Sequence, residues 1–292
     1  MTRGKATIIG FSAVALWALL AVFTVASAPV PPFQLSAMTF AIGGAVGLIW
    51  LAATGGAAVL RTVPLRAYAF GTLGLFGYHF LYFTALRLAP PAEAGLICYL
   101  WPLLIVLFSG LLPGEVLTRG HVIGALLAFA GATLIVAGGI GAVSGATGGY
   151  AVALVAALTW AVYSLGSRRL AGVPTAAVSV TCLATAVLSL VAHLALEQTA
   201  WPQGAPGWLA VLALGLGPVG LAFYTWDVGV KNGDIQLLGT ASYAAPLLST
   251  LVLVLSGMAT ASLSLALAAG LITGGALIAA RAGRRITPPR GA

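Results

Sequence analysis

Apolar runs of about twenty residues, the length that spans a bilayer as a helix, follow one another along the whole chain with short polar breaks between them. The apolar/polar alternation of a half-buried strand is absent, so the runs predict helices. They fall near Ala6–Ala28, Phe33–Ala53, Ala67–Leu88, Ala92–Leu112, His121–Ala137, Tyr150–Leu170, Thr175–Leu196, Trp208–Val230, Ile235–Gly257 and Leu263–Arg281. The first run follows Arg3 and Lys5 and ends in Ala26-Ser27-Ala28, in the manner of a signal peptide. It is longer than the roughly 7–15 apolar residues of a signal peptide, and it carries a tryptophan that recurs later. It is therefore taken as the first of ten transmembrane helices in an all-α polytopic membrane protein.

The pattern also repeats. Tyr78 to Pro102, the end of the third helix and start of the fourth, has a counterpart in Ala222 to Pro246. Phe80 and Tyr82 fall opposite Tyr224 and Trp226, and Arg87 falls opposite Lys231. Gly95, Tyr99 and Pro102 fall opposite Gly239, Tyr243 and Pro246. Leu16-Trp17-Ala18 likewise returns as Thr159-Trp160-Ala161. The chain divides into a first five-helix repeat (1–138), a glycine-rich linker (139–149) and a second repeat (150–292). Five is odd, so the second copy enters the membrane from the opposite side. Inverted repeats are the architecture of many secondary transporters, with substrate bound near the midplane where the repeats meet.

Composition agrees with lipid as the solvent. Apolar residues make up 61% of the chain and charged ones 6%, against about 25% charged in a soluble domain. A net charge of +8 raises the possibility of nucleic acid, but the cations sit in inter-helix breaks, where membrane topology puts them. With ten helices and the N-terminus inside, the inner segments hold Arg3, Lys5, Arg61, Arg66, Arg119, Arg168, Arg169, Lys231, Arg281, Arg284, Arg285 and Arg290, leaving Arg87 outside. That partition obeys the positive-inside rule and predicts both termini in the cytoplasm. Cys98 and Cys182 lie within apolar runs and three histidines lie in three separate segments, which predicts no disulfide, metal or cofactor site.

No GxGxxG, P-loop lysine, HExxH or Ser-His-Asp set stands in a loop able to support it, and no paired carboxylates suit hydrolysis inside the membrane, so an enzyme is not expected. The candidates for binding are aromatic. Interfacial belts account for tryptophan and tyrosine near helix ends, including Tyr68, Tyr150, Trp201 and Trp208. They do not account for Trp17 and Trp160, which lie in mid-helix. Trp17, Tyr78, Tyr82, Tyr99, Trp101, Trp160, Tyr163, Tyr224, Trp226 and Tyr243 are the candidate cavity residues, offering apolar area with hydroxyl or indole donors. His79, in mid-helix, joins them as a group for a substrate carboxylate or a proton. Ionisable groups cost about 2.5–3.5 kcal/mol in hydrocarbon, so Asp227 and Lys231, one helical turn apart, predict an ion pair and otherwise a gate or coupling site. Arg87 and Glu93 are expected to pair across their turn, Arg168 and Arg169 are read as loop charges, and His193 is assigned no role. Pro102 and Pro246, at matched places, predict bending points. Gly43, Gly44, Gly124, Gly131, Gly270, Gly274 and Gly275 predict close helix contacts.

Ten helices in two inverted halves, Trp17 and Trp160 in the first helix of each half, Pro102 and Pro246 in the fourth, and Glu115 before Gly124-Ala125 and Gly131-Ala132 resemble the EamA-type branch of the drug/metabolite transporter superfamily. The resemblance covers the whole chain. One departure is the missing counterpart of Glu115 in the second half, which reads Gly257-Met258-Ala259-Thr260-Ala261. The aromatic content of helices one, three, four, six and eight is similar to that of the aromatic amino acid exporters of the branch. The resemblance implies a carrier in a bacterial-type inner membrane, monomeric or homodimeric, that exports aromatic or other bulky amino acids by alternating access. Rival readings are an exporter of lipophilic cations, an intramembrane enzyme and a channel. Scarcity of acids, with Asp227 held by a cation, predicts facilitative or weakly proton-coupled transport.

Overall fold

A computed structural model describes residues 1–136, 146–255 and 262–286. Among them every regular element is helical. In chain order these are α1 (Arg3–Trp17), α2 (Leu20–Ala26), α3 (Pro32–Ala53), α4 (Leu65–Leu88), α5 (Pro91–Cys98), α6 (Trp101–Ser109), α7 (Arg119–Val136) and α8 (Thr147–Arg169). Then come α9 (Ala177–Leu196), α10 (Gly204–Leu216), α11 (Ala222–Asn232), α12 (Ile235–Ala241), α13 (Ala244–Leu255) and α14 (Leu263–Ile286). A 3₁₀ turn covers Gly56–Thr62, and a π-turn, Gly217–Leu221, joins α10 to α11.

Eight stretches among the described residues are long and apolar enough to cross a membrane: Arg3–Ala26, Pro32–Ala53, Leu65–Leu88, Thr147–Arg169, Ala177–Leu196, Gly204–Asn232, Ile235–Val252 and Leu263–Gly283. The expected fourth and fifth spans are also apolar helices but shorter, Glu93–Ser109 and Arg119–Leu134. Most of the expected linker, and the segment Gly257-Met258-Ala259-Thr260-Ala261, lie outside the described residues.

Four of the spans are interrupted. The first breaks between Trp17 and Leu20, the fourth between Cys98 and Trp101, the eighth at the π-turn, and the ninth between Ala241 and Ala244. The expected bends at Pro102 and Pro246 thus lie a few residues earlier, at Tyr99-Leu100 and Ser242-Tyr243. Each proline occupies the first turn of the following helix, where a missing N–H costs nothing and the fixed φ suits the helix.

Packing joins helices that precede residue 137 to helices that follow it: α1 against α11, α3 against α9, α4 against α8 and α7 against α14. Lipid gives no hydrophobic drive between helices, so close approach of small residues does the work. A Cβ added to Gly10 would lie 2.7 Å from the Cα of Gly229, and one on Gly43 would lie 2.7 Å from the Cα of Gly220. One on Gly124 would lie 2.5 Å from the carbonyl oxygen of Gly275, and one on Gly131 2.9 Å from that of Ala268. Two expected contacts are corrected: Gly270 and Gly274 face open space, with nothing within 4 Å of an added Cβ. Large apolar side chains such as Ile49, Leu73, Ile123, Leu190 and Leu277 remain exposed, the surface a lipid-facing bundle presents.

The adjacent glycines of α14 offer an internal comparison. Gly275→Ala would drive its methyl into the Gly124 carbonyl and should destabilise the bundle by about 1–3 kcal/mol. Gly274→Ala should stay within about 0.5 kcal/mol of the parent. Thermal unfolding in detergent checks both; equal stability of the two variants would contradict the packing.

Candidate functional site

The breaks bring four tryptophans together from four different spans. Trp17 ends α1, Trp101 begins α6, Trp160 lies in the middle of α8, and Trp226 lies in α11. All six ring pairs are in contact, with centroids between 5.1 Å (Trp17–Trp226) and 6.3 Å (Trp160–Trp226). Phe223, one turn before Trp226, adds its ring 6.2 Å from Trp17 and stacks on Phe40 at 5.3 Å. Along α8, Tyr150 and Arg168 stand near opposite ends and Trp160 stands between them, about 15 Å and 12 Å away at 1.5 Å rise per residue. The cluster therefore sits at mid-membrane depth.

Trp101, Trp160 and Trp226 are buried, while Trp17 keeps partial exposure. Tyr78 flanks the cluster, 4.9 Å from Trp160, and stacks on Tyr82 at 5.9 Å, as expected for residues one turn apart. His79 packs edge-on against Phe40 at 5.0 Å, and its Nδ1 lies 2.7 Å from the Leu75 carbonyl. The ring proton is thereby placed on Nδ1, which leaves Nε2 of the neutral ring as an acceptor. Tyr163 lies 5.3 Å from Trp160 and stacks on Phe70. Tyr99 falls in the break between α5 and α6.

Four of the expected cavity residues, Tyr82, Tyr99, Tyr224 and Tyr243, make no ring contact with the tryptophans. The Tyr224 hydroxyl donates to the Gly43 carbonyl and lies 3.1 Å from the Ser179 hydroxyl, tying α11 to α3 and α9. Tyr243 is fully buried beside Phe129, and its hydroxyl accepts the Leu103 N–H at 3.0 Å. That N–H belongs to the first turn of α6, which has no intrahelical acceptor, so the broken ninth span caps the broken fourth. The expectation overlooked Phe223 and Phe40. Phe223 was legible, since 223 and 226 share a helix face that 224 does not.

The indole donors differ in their partners. Trp17 Nε1 donates to the Pro218 carbonyl at 3.1 Å, and Trp226 Nε1 to Ser164 Oγ at 3.2 Å. Trp160 Nε1 is buried with no partner. A buried unpaired donor costs about 1–3 kcal/mol, and this one lies beside Trp17 and Tyr78.

Charged groups lie away from the tryptophans in two clusters and a pair. At the end expected in the cytoplasm, Glu115 binds both Arg3 (3.1 Å) and Arg168. Arg3 also reaches Asp234 at 3.4 Å. Arg168 donates to the carbonyls of Val230 and Gly233, each at 2.9 Å, and the Asp234 N–H donates to Thr7 Oγ1 at 2.8 Å. The cluster joins α1, α8, α11, α12 and the turn before α7. Arg168, read from sequence as a loop charge, is its centre, because the last turn of α8 extends far enough to carry it under α11. Arg169, in the same turn, donates to the Leu111 carbonyl.

At the other end Glu197 accepts from Arg87 (2.6 Å), from His193 Nδ1 (3.0 Å) and from the N–H groups of Phe33 and Gln34 at the start of α3. The expected Arg87–Glu93 pair is therefore corrected. The helix N-terminus attracts a carboxylate and Arg87 follows it, while Glu93 takes the Tyr150 hydroxyl. His193, assigned no role, supports Glu197 and also meets Thr199 at 3.0 Å. The expected Asp227–Lys231 pair is present at 2.9 Å, with Thr175 Oγ1 donating to Asp227 and Lys231 to the Val173 carbonyl. It lines a small cavity of about 30 Å³ together with Tyr163, Ser167 and Thr181, room for about one water molecule or two.

A helical membrane bundle whose broken spans meet around an aromatic centre, closed at each end by ion pairs, has the form of a small-molecule carrier. The sequence profile of the EamA-like transporter family matches residues 4–137 and again 147–281. The chain belongs to that family. It is 55% identical over 289 residues to the aromatic amino acid exporter YddG of Ancylobacter novellus, covering 98% of this chain and all of that one. It is 26% identical to the exporter of the same name from Escherichia coli K12, again over 98% of this chain and all of the other. A crystal structure of a protein 54% identical superposes with a TM-score of 0.92, covering 97% of this chain and all of that chain.

Glu115→Gln should loosen the first charged cluster, since one carboxylate serves two arginines. Hydrogen exchange is expected to rise in α1 around Arg3–Gly10 and at Val230–Gly233, and stability to fall by about 1–3 kcal/mol. Unchanged protection at both places would mean the cluster does not hold that end closed.

Proposed function

We propose that this chain exports aromatic amino acids across the inner membrane by alternating access, through ten spans arranged as two inverted five-helix repeats with both termini in the cytoplasm. The observation that carries the reading is the four-tryptophan cluster, in which the Trp160 indole N–H is buried without a partner. The ring faces and edges of Trp17, Trp101 and Tyr78 suit a flat aromatic side chain. Trp160 Nε1 supplies a donor for the substrate carboxylate, and His79 Nε2 supplies an acceptor for its ammonium group. The high identity to a relative named as an aromatic amino acid exporter supports the same substrate class. The short fourth and fifth spans complete the count of ten: local thinning of the bilayer accommodates helices below full length.

Lipophilic cations fit less well. All five carboxylates of the chain are held by protein donors: Glu93 by Tyr150, Glu115 by two arginines, Glu197 by Arg87, Asp227 by Lys231 and Asp234 by Arg3. Asp227 is engaged by both Lys231 and Thr175, and the engagement of every carboxylate by the protein supports facilitative or weakly coupled export down the substrate gradient.

In proteoliposomes, L-tryptophan, L-phenylalanine and L-tyrosine should show saturable counterflow with no pH gradient or potential imposed, and cationic dyes should not compete. Trp160→Phe keeps the ring and removes the donor, and should raise KM about five- to tenfold at equal expression. Uphill transport that requires a proton gradient and is lost in His79→Ala or Asp227→Asn would overturn the facilitative reading; transport of dyes in place of amino acids would overturn the substrate class.

A further inference from the structure

The π-turn of the eighth span places one carbonyl where an α-helix would have used it. Pro218 has no N–H, and its ring crowds the carbonyl four residues back. The ladder is rerouted: the Ala222 N–H reaches the Gly217 carbonyl, five residues earlier. In an α-helix that N–H would take the carbonyl of Pro218. The Pro218 carbonyl, buried at membrane depth, therefore lacks its ladder partner, and an unsatisfied carbonyl there is costly. Trp17 Nε1 supplies the bond at 3.1 Å. Trp17 itself closes α1 at a break, with no regular helix on its other side until Leu20.

Because Trp17 touches Trp101, Trp160, Phe223 and Trp226, the orientation of its indole sets the geometry of the whole cluster. Backbone approach makes the anchor firm: Gly10 and Gly229 bring α1 and α11 into contact, and Gly43 presses on Gly220 inside the π-turn. Single π-turns within α-helices occur frequently at functional sites.

We propose that Pro218 is a positioning residue for selection of aromatic substrates: its displaced carbonyl engages the side-chain donor of Trp17, so that Trp17 offers its ring and not its N–H to the substrate. This rests on the reading of the chain as an aromatic amino acid exporter. Pro218→Ala restores the N–H and allows an unbroken α ladder, in which the residue 218 carbonyl returns to Ala222 and the Trp17 indole is released. Trp17→Phe removes the same bond from the other side while keeping an aromatic ring.

The test is counterflow of L-tryptophan and L-phenylalanine in proteoliposomes containing the parent chain, Trp17→Phe, Pro218→Ala and the double variant. It is paired with ¹H–¹⁵N spectra of the indole N–H groups in nanodiscs. Each single variant should raise KM about five- to tenfold with Vmax within about twofold, and the double variant should be no worse than the poorer single one, as for two changes that break one bond. The indole signal lost in Trp17→Phe should shift in Pro218→Ala. If the KM effects multiply in the double variant, or the Trp17 signal does not move, Pro218 does not position Trp17 and the substrate reading stands. If the parent chain carries neither amino acid, the substrate reading fails, and the positioning role for aromatic substrates fails with it whatever the spectra show.

Discussion

Hydrocarbon offers no hydrogen bonds, so every backbone group that a broken helix releases in mid-membrane must find a partner inside the protein. Four spans break near the middle of this bundle, and at two of the breaks a released backbone group takes an aromatic side chain from another span. The Pro218 carbonyl takes the Trp17 indole, and the Leu103 N–H takes the Tyr243 hydroxyl. Both bonds run between the portions of chain before and after the expected linker. The same requirement that keeps the breaks stable thus stitches the two portions together through large rings. A carrier needs helices able to change direction near the substrate, and repairing the breaks with side chains leaves an aromatic centre as the by-product.

Away from the centre the cohesion is of two other kinds. Glycines let α1 meet α11, α3 meet the π-turn and α7 meet α14 at backbone distance, with dispersion and not hydrophobic burial holding the contacts. At the two ends, Glu115 with Arg3 and Arg168, and Glu197 with Arg87 and His193, close the bundle by charge. These clusters lie where water can reach an arginine, since Arg3 and Arg87 each keep about 45% exposure or slightly less. Each cluster nevertheless holds a buried carboxylate, Glu115 at 6% and Glu197 at 2% exposure, so opening it requires that carboxylate to be resolvated.

Much of this was legible in the sequence because it is local or periodic. Run lengths placed the eight full-length spans, the offset between Pro102 and Pro246 located two of the breaks to within a few residues, and the spacing of Asp227 and Lys231 gave their pair. Contacts between distant residues were not legible. Arg87 chooses Glu197, 110 positions away, over Glu93 six positions away, because Glu197 already sits on the N-terminus of α3, and no pattern in the chain announces that. Arg168 could be assigned to a loop only while the end of α8 was unknown. Tyr224 was chosen for its alignment with Phe80, whereas the face shared by Phe223 and Trp226 decides which rings turn inward. Gly270 and Gly274 look like Gly275 in sequence, yet only the last meets a neighbour. The π-turn leaves a trace in Gly215, Gly217, Pro218 and Gly220, but proline in a helix predicts disruption without saying which carbonyl is freed.

The central claim, that the tryptophan cluster between the broken spans is where an aromatic amino acid binds, is tested most directly by photo-crosslinking. A diazirine-bearing phenylalanine would be activated on the protein in lipid nanodiscs, with the labelled residues read by mass spectrometry. Labels are expected on the segments that carry Trp17, Tyr78, Trp101, Trp160 and Phe223, suppressed by excess L-tryptophan. Suppressible labelling confined to the lipid-facing surface of α7 and α14, or to the charged clusters at either end, would contradict it.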